Sequence, residues 1–172
     1  MPLGTTLSIE IDVPRNIGFV DTNVLVAYFD RRDGRHEDAT LFLDEDAEHE
    51  WYVSFPVIGE ASNLLERRTN SSHVRKMMEW INTPGRISIL PVGHFASERH
   101  ELLSLQTSWM FRYAIDYVDA HLMELAGVLT DRFTLKPSLP IATFDTKDFL
   151  RCGKAGSGYS VFDVQDHELI EF

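Results

Sequence analysis

Cysteine is nearly absent. The chain has one, Cys152, so no disulfide can close within it and no Cys-rich zinc cluster can be built. No segment approaches the ~18 consecutive apolar residues of a membrane span. Met1 to Asn16 also lacks the basic start and unbroken apolar core of a secretory leader. These absences predict a soluble, cytoplasmic protein without a membrane partner. Positive charge is scarce too: 16 Lys and Arg stand against 27 Asp and Glu, a formal charge of −11. A general nucleic-acid coat is therefore excluded, because counterion release needs clustered Lys and Arg. A nuclease is not, because carboxylates gathered around metal ions count as negative here yet are offset locally by the ions. Any nucleic acid must then be met by a local patch.

What is present is enough for one packed domain. The 172 residues are 44% hydrophobic and include 11 Phe and 3 Trp, which argues against a disordered polymer. No internal repeat or low-complexity linker interrupts them. Leu7 to Val13 alternates apolar and polar residues, as a half-buried strand does, and Pro14 ends it. Ile17 to Val20 is a short apolar run suited to a buried parallel strand, and Asp21-Thr-Asn23 can cap a helix through Phe29. Helices are predicted at His36–Ala47, Pro56–Arg68, Ser72–Ile81, His94–Leu105 and Tyr113–Leu129. Strands are predicted at Trp51–Phe55, Arg86–Leu90, Pro140–Thr143 and Tyr159–Val164. Strands alternating with helices give a mostly parallel sheet of four to five strands covered on both faces, a three-layer α/β/α sandwich.

In such sheets ligands sit beyond the carboxyl ends of the strands, and there the chain places acids. Asp21 ends the first core strand. Glu60 follows the second, Asp116 and Asp119 the third, and Asp145 and Asp148 the fourth. Each stands beside apolar residues, where a charge is costly without a partner. Individually they have plain explanations: Asp21 and Asp145 as N-caps, Glu60 and one of Asp116 and Asp119 as acids near a helix start. As a set they form a candidate site for hard divalent cations, which prefer carboxylate oxygen.

The order of the motifs resembles the PIN-domain family, including its VapC-like toxin ribonucleases. Phe19-Val-Asp-Thr-Asn-Val-Leu25 is similar to the family's first motif. Val57 to Leu65 resembles the second, Asp119-Ala-His-Leu-Met-Glu-Leu-Ala126 the third, and Thr143-Phe-Asp-Thr-Lys-Asp-Phe149 the last. The resemblance spans about Ile17 to Phe162. It implies a PIN-like domain over 17–172, with 1–16 as an extension bearing an extra strand. It implies catalytic and metal-binding roles for Asp21, Glu60, Asp119 and Asp145. Asp116 competes for the third position, since i and i+3 share a helix face, and Asp148 is an accessory ligand. Asn23 and Thr143 match residues that orient ligands. The implied activity is Mg²⁺- or Mn²⁺-dependent hydrolysis of RNA, leaving a 5′-phosphate and a 3′-hydroxyl. The implied setting is the toxin of a type II toxin–antitoxin pair, bound by a small antitoxin. The alternatives are a stand-alone nuclease in RNA processing and a PIN-like scaffold without turnover. Bulky His121 and Met123 and the added N-terminal segment depart from the family pattern, and neither touches an acid.

Two other Asp-initiated chemistries fail on single residues. A haloacid-dehalogenase-type phosphatase needs a second Asp two positions after the first, where this chain has Asn23. A receiver domain needs an acidic pair, and Asp21 has no acidic neighbour. For substrate contact, Arg31, Arg32 and Arg35 form the densest basic group, Arg67 lies two helical turns after Glu60, and Lys147 sits between two acids. Together they are a candidate phosphate track. The seven His form no zinc pair at helical spacing; His36 and His121 read as structural. Trp51, Trp80 and Trp109 read as core or interface residues, and nothing places a base beside Cys152. Met77, Met78 and Trp80 offer an apolar face for a homodimer.

Overall fold

The computed structural model describes residues 17–46, 49–90, 106–108, 110–133, 138–153 and 158–171. The expected strand at Leu7–Val13, the helix at His94–Leu105 and Trp109 lie outside them. The elements are β1 (Ile17–Val20), α1 (Thr22–Phe29), α2 (His36–Glu45), β2 (Glu50–Val53), α3 (Phe55–Arg68), α4 (Ser71–Ile81), β3 (Ser88–Ile89), α5 (Tyr117–Phe133), β4 (Pro140–Thr143), α6 (Thr146–Gly153), β5 (Ser160–Asp163) and β6 (Glu168–Ile170). Residues 106–108 and 110–113 are also helical. No described helix is long and apolar enough to cross a membrane.

The strands form one sheet in the order β3-β2-β1-β4-β5-β6. All neighbours are parallel except β5 and β6. Successive strands step from β1 to β2 to β3 in one direction, then return past β1 to β4 and β5. Parallel crossovers are right-handed because a right-twisted strand feeding a helix packs back onto the sheet only that way. The two directions of travel therefore put α1 to α4 on one face and α5 and α6 on the other. The reversal falls between β1 and β4. It leaves a crevice at their carboxyl ends, the place where open α/β sheets bind ligands.

The apolar runs become the innermost strands. Phe19, Val20, Ile141 and Ala142 are at most 2% exposed and pair in register across β1 and β4. Opposite them β1 meets β2, with Gly18 beside Trp51. A Cβ on Gly18 would overlap the Trp51 ring, so glycine lets the indole lie flat on the strand. Trp51 itself is buried, and its Nε1 donates to Asp46 Oδ2 at 2.9 Å.

Several expectations need correction. Among the described residues the sheet has six strands, where four to five are expected. β6 was not expected because its turn, Val164 to His167, carries no Gly; exposed His167 takes the left-handed position at φ 52. Asp163 Oδ1 supports that turn by accepting from Gln165 N and Asp166 N. The helix expected from Tyr113 starts at Tyr117 instead. Ala114 has φ 52, and Asp116 Oδ1 accepts from the amides of Val118 and Asp119. A short acid that bonds nearby backbone favours a cap over a helix interior. The apolar face assigned to a homodimer is largely spent within the chain. Met77 is fully buried, and Trp80 packs on Tyr28 and Phe29 with ring centroids at 5.1 and 5.7 Å. Only Met78 of the three is exposed.

Candidate active site

Asp21 stands at the head of the crevice. Its amide donates to Ala142 O at 3.0 Å, continuing the β1–β4 ladder by one residue. It is also the N-cap of α1: Oδ1 accepts from Thr22 N at 2.6 Å. Oδ2 accepts from Asn23 Nδ2 at 2.7 Å and from Thr143 Oγ1 at 2.8 Å. Thr143 Oγ1 in turn accepts from Asn23 Nδ2 and from Asp145 N, at 2.9 and 3.0 Å. Asn23 Oδ1 accepts from Phe144 N at 3.1 Å. Asn23 and Thr143 thus hold the Asp21 carboxylate and lock the end of β1 to the end of β4.

Glu60 enters from α3. Its Oε2 accepts a 2.6 Å hydrogen bond from Thr22 Oγ1, so Thr22 joins two acids, one through its amide and one through its hydroxyl. Nothing in Asp-Thr-Asn alone singles out Thr22. A hydroxyl beside a capping acid is the signal that could have found it. From the opposite face α5 delivers Asp119 in its first turn. Asp116, exposed, caps the same helix.

Electrostatics tie these groups together. Asp21 is 4% exposed. Burial pushes its carboxyl up to about 7, aided by the charges of Glu60 and Asp116 and opposed by the Thr143 and Thr22 hydrogen bonds. Asp119 is pushed up to about 8, first by burial and then by Asp21, Asp116, Asp148 and Glu60. The charges that dominate the field at both are acids. Buried Asp21 and half-buried Asp119 thus carry carboxyls that cannot both ionise cheaply. Hard oxygen donors suit Mg²⁺ or Mn²⁺. Among the described residues no three acid, His or Cys side chains are gathered closely enough to cage a bare ion.

The remaining expected residues divide. Asp148 is half-buried and acts on Asp119, with Arg151 Nη2 at 2.9 Å from its Oδ1. The same guanidinium donates to Tyr113 O at 2.8 Å. Asp145 is exposed, joins the network through its amide, and is not among the leading charges felt by Asp21 or Asp119. Lys147 is exposed in the first turn of α6, and Arg67 is exposed on α3. The Arg31, Arg32 and Arg35 group does not form one track. Arg35 lies over the Phe144 ring, 5.1 Å from its centroid, at the edge of the crevice. Arg32 is held by Asp30 at 3.1 Å and by Arg68 O. Arg31 lies past the far end of α1. His121 stacks near Tyr117, its Nδ1 lies 3.0 Å from Gln106 Nε2, and burial lowers its pKa to about 4. It is neutral and accepts from the amide. His36 Nδ1 donates to Ala27 O at 2.8 Å, and Cys152 is buried.

Comparison with known proteins agrees with this architecture. In Mycobacterium tuberculosis, VapC20, described as a sarcin-ricin loop cleaving toxin, superposes with a TM-score of 0.59 at 20% identity, over 79% of this chain and 95% of that one. FitAcB from Neisseria gonorrhoeae superposes with a TM-score of 0.51 at 18% identity, over 87% of this chain and 98% of that one. At such identities the likeness is one of fold. No curated protein matches the sequence. The PIN domain family model matches residues 18–155, a span that holds Asp21, Glu60, Asp116, Asp119, Asp145 and Asp148, and the chain therefore belongs to the PIN-domain family.

Proposed function

We propose that the chain is a divalent-metal-dependent endoribonuclease whose site is built on Asp21, Glu60 and Asp119, with Asp116, Asp145 and Asp148 as outer acids. The observation that carries this reading is the pair of carboxyls on buried Asp21 and half-buried Asp119, raised to about 7 and 8 by burial and by neighbouring acids, with Asp21 itself among those acting on Asp119. A bound Mg²⁺ or Mn²⁺ would supply Lewis-acid polarisation of a phosphate oxygen and acidify attacking water. The chain's own residues do the rest. Thr143, Asn23 and Thr22 fix the Asp21 carboxylate, so that it meets a cation without reorganising. Thr22 aims Glu60 at the same space. Arg35, beside Phe144, is placed to contact a phosphate at the crevice edge.

The hydrolysis consistent with this site adds water across the phosphodiester. The P–O3′ bond breaks, leaving a 5′-phosphate on one product and a 3′-hydroxyl on the other. The superposition on VapC20, a toxin described as cleaving the sarcin-ricin loop, supports RNA as the substrate class and a toxin paired with a small antitoxin as the setting. The test is cleavage of structured RNA by metal-stripped protein, with and without Mg²⁺ or Mn²⁺, beside Asp21→Asn. The wild type should cut only with metal. Asp21→Asn should lose about 10²–10³-fold, the scale of removing one preorganised electrostatic contact. Equal inertness of both proteins across metals and RNAs would contradict the proposal.

A further inference from the structure

Two adjoining cavities of about 270 Å³ each open between the far end of α1 and the start of α4, and Arg31 and His73 line both. The larger wall is made by Tyr28, Phe29, Arg31, His36, His73 and Lys76, and no acid lines it. In the second cavity the one acid is Asp30, already answered by Arg32 at 3.1 Å. Arg31 and Lys76 are exposed and make no ion pair or hydrogen bond among the described residues. His36 spends one ring nitrogen on Ala27 O, which leaves the other for a ligand. In a chain of formal charge −11, a concave surface with two unanswered cations, two imidazoles and two aromatic rings is a marked local reversal.

We propose that this cleft is a second binding site, for the phosphate backbone of an RNA strand whose scissile bond lies at the acids; the proposal rests on the nuclease reading above. Asp21 caps one end of α1 and Arg31 lies just past the other. The eight residues of α1 set the two sites about 12 Å apart at 1.5 Å per residue. That is about three to four nucleotides of a stacked strand at 3.4 Å each. Arg31 and Lys76 supply the charge a phosphate needs. Tyr28 and Phe29 give the wall an aromatic character that suits a nucleotide better than a bare anion. The acids repel a strand and the cleft attracts it, so an acidic protein gains its hold on RNA away from the reacting bond.

The test is fluorescence anisotropy of a labelled single-stranded RNA oligonucleotide, with every protein carrying Asp21→Asn and kept in EDTA so that nothing is cut. Adding Arg31→Ala with Lys76→Ala should weaken binding at least about tenfold. It should also reduce the slope of log affinity against log salt by about 1.4, from two lost contacts at about 0.7 each. Arg31→Lys with Lys76→Arg, which keeps the charge, should bind like the parent. Arg75→Ala with Arg112→Ala, which removes equal charge outside both cavities, should change little. The proposal is overturned if the cleft variant binds RNA like its parent. It is equally overturned if the outside variant weakens binding as much, which would leave net charge as the cause. Loss of binding to a polyglutamate probe with RNA binding intact would assign the cleft to an acidic protein instead and overturn it too. Failure of the wild type to cut RNA with metal, beside the expected fall in binding, would sink the nuclease reading and leave the cleft standing.

Discussion

Replacing Asp119 with Asn should stabilise the metal-free protein at alkaline pH while destroying its function. The Asp119 carboxyl has its pKa raised from 3.8 to about 8 by burial and by four neighbouring acids. Below 3.8 it is protonated in both folded and unfolded states. Between 3.8 and 8 the unfolded chain has released its proton and the folded chain has kept it. The folded state then binds more protons, so stability falls as pH rises through this window and levels off above it. Four units at about 1.4 kcal/mol each set a ceiling near 6 kcal/mol. Asp119 is partly exposed, and its repulsion is shared with Asp21, so about half of that, roughly 3 kcal/mol, is the expected gain on removing the charge. For a chain of this size that is about 6–12 °C in Tm. The assay is thermal melting in EDTA at pH 5 and pH 8.5. Asp119→Asn should exceed the wild type at both, by less at the lower pH, where only the early part of the 3.8-to-8 window has been crossed, and by most at the higher. Mn²⁺ should raise the wild-type Tm at pH 8.5 and leave the variant nearly unmoved. Equal melting of the two proteins at pH 8.5, or a less stable variant there, would refute the reasoning.

Other substitutions probe the supports of the site. Thr143→Val removes a hydroxyl that lowers the Asp21 pKa, so the acid limb of the pH–rate profile should shift to higher pH. It also strands the Asp145 amide and one Asn23 N–H, at a cost of about 1–3 kcal/mol in urea unfolding. Gly18→Ala puts a Cβ into the Trp51 ring and should cost about 1–3 kcal/mol by overpacking, with Trp51 fluorescence altered. Asp116→Ala removes the cap of α5 and should cost about 0.5–2 kcal/mol. It also deletes a charge that raises Asp119, so the loss should be greater at pH 5 than at pH 8.5.

How far the sequence revealed the site follows from which forces are local. The strand ends were legible because β1 and β4 are unbroken apolar runs between polar turns, as buried parallel strands must be. The acids after them followed from one rule about parallel sheets. Hydrogen bonding between distant segments was not legible. Nothing in Thr143-Phe-Asp145 says that the threonine serves Asp21 at a separation of 122 residues, or that Asn23 reaches Phe144 rather than a ligand. Asp119 is favoured in the sequence by Ala120 and the apolar pattern after it; the capping bonds of Asp116 to Val118 and Asp119 amides, and its charge on both Asp21 and Asp119, were not legible there. The arginine group divides for the same reason. Arg31, Arg32 and Arg35 are near in sequence, but the turn after α1 sends one to a cleft, one to the end of α3 and one to Phe144. β6 stayed hidden because its turn uses His167 where a glycine would have announced a hairpin.

The most direct measurement is anomalous diffraction from a crystal soaked in Mn²⁺ at pH 8. A peak within coordination distance of the Asp21 and Asp119 carboxylates, with Glu60 directly or through water, is the predicted result. A fully occupied Mn²⁺ elsewhere, or none in this crevice at saturating Mn²⁺, would contradict the assignment of these acids to a metal-dependent site.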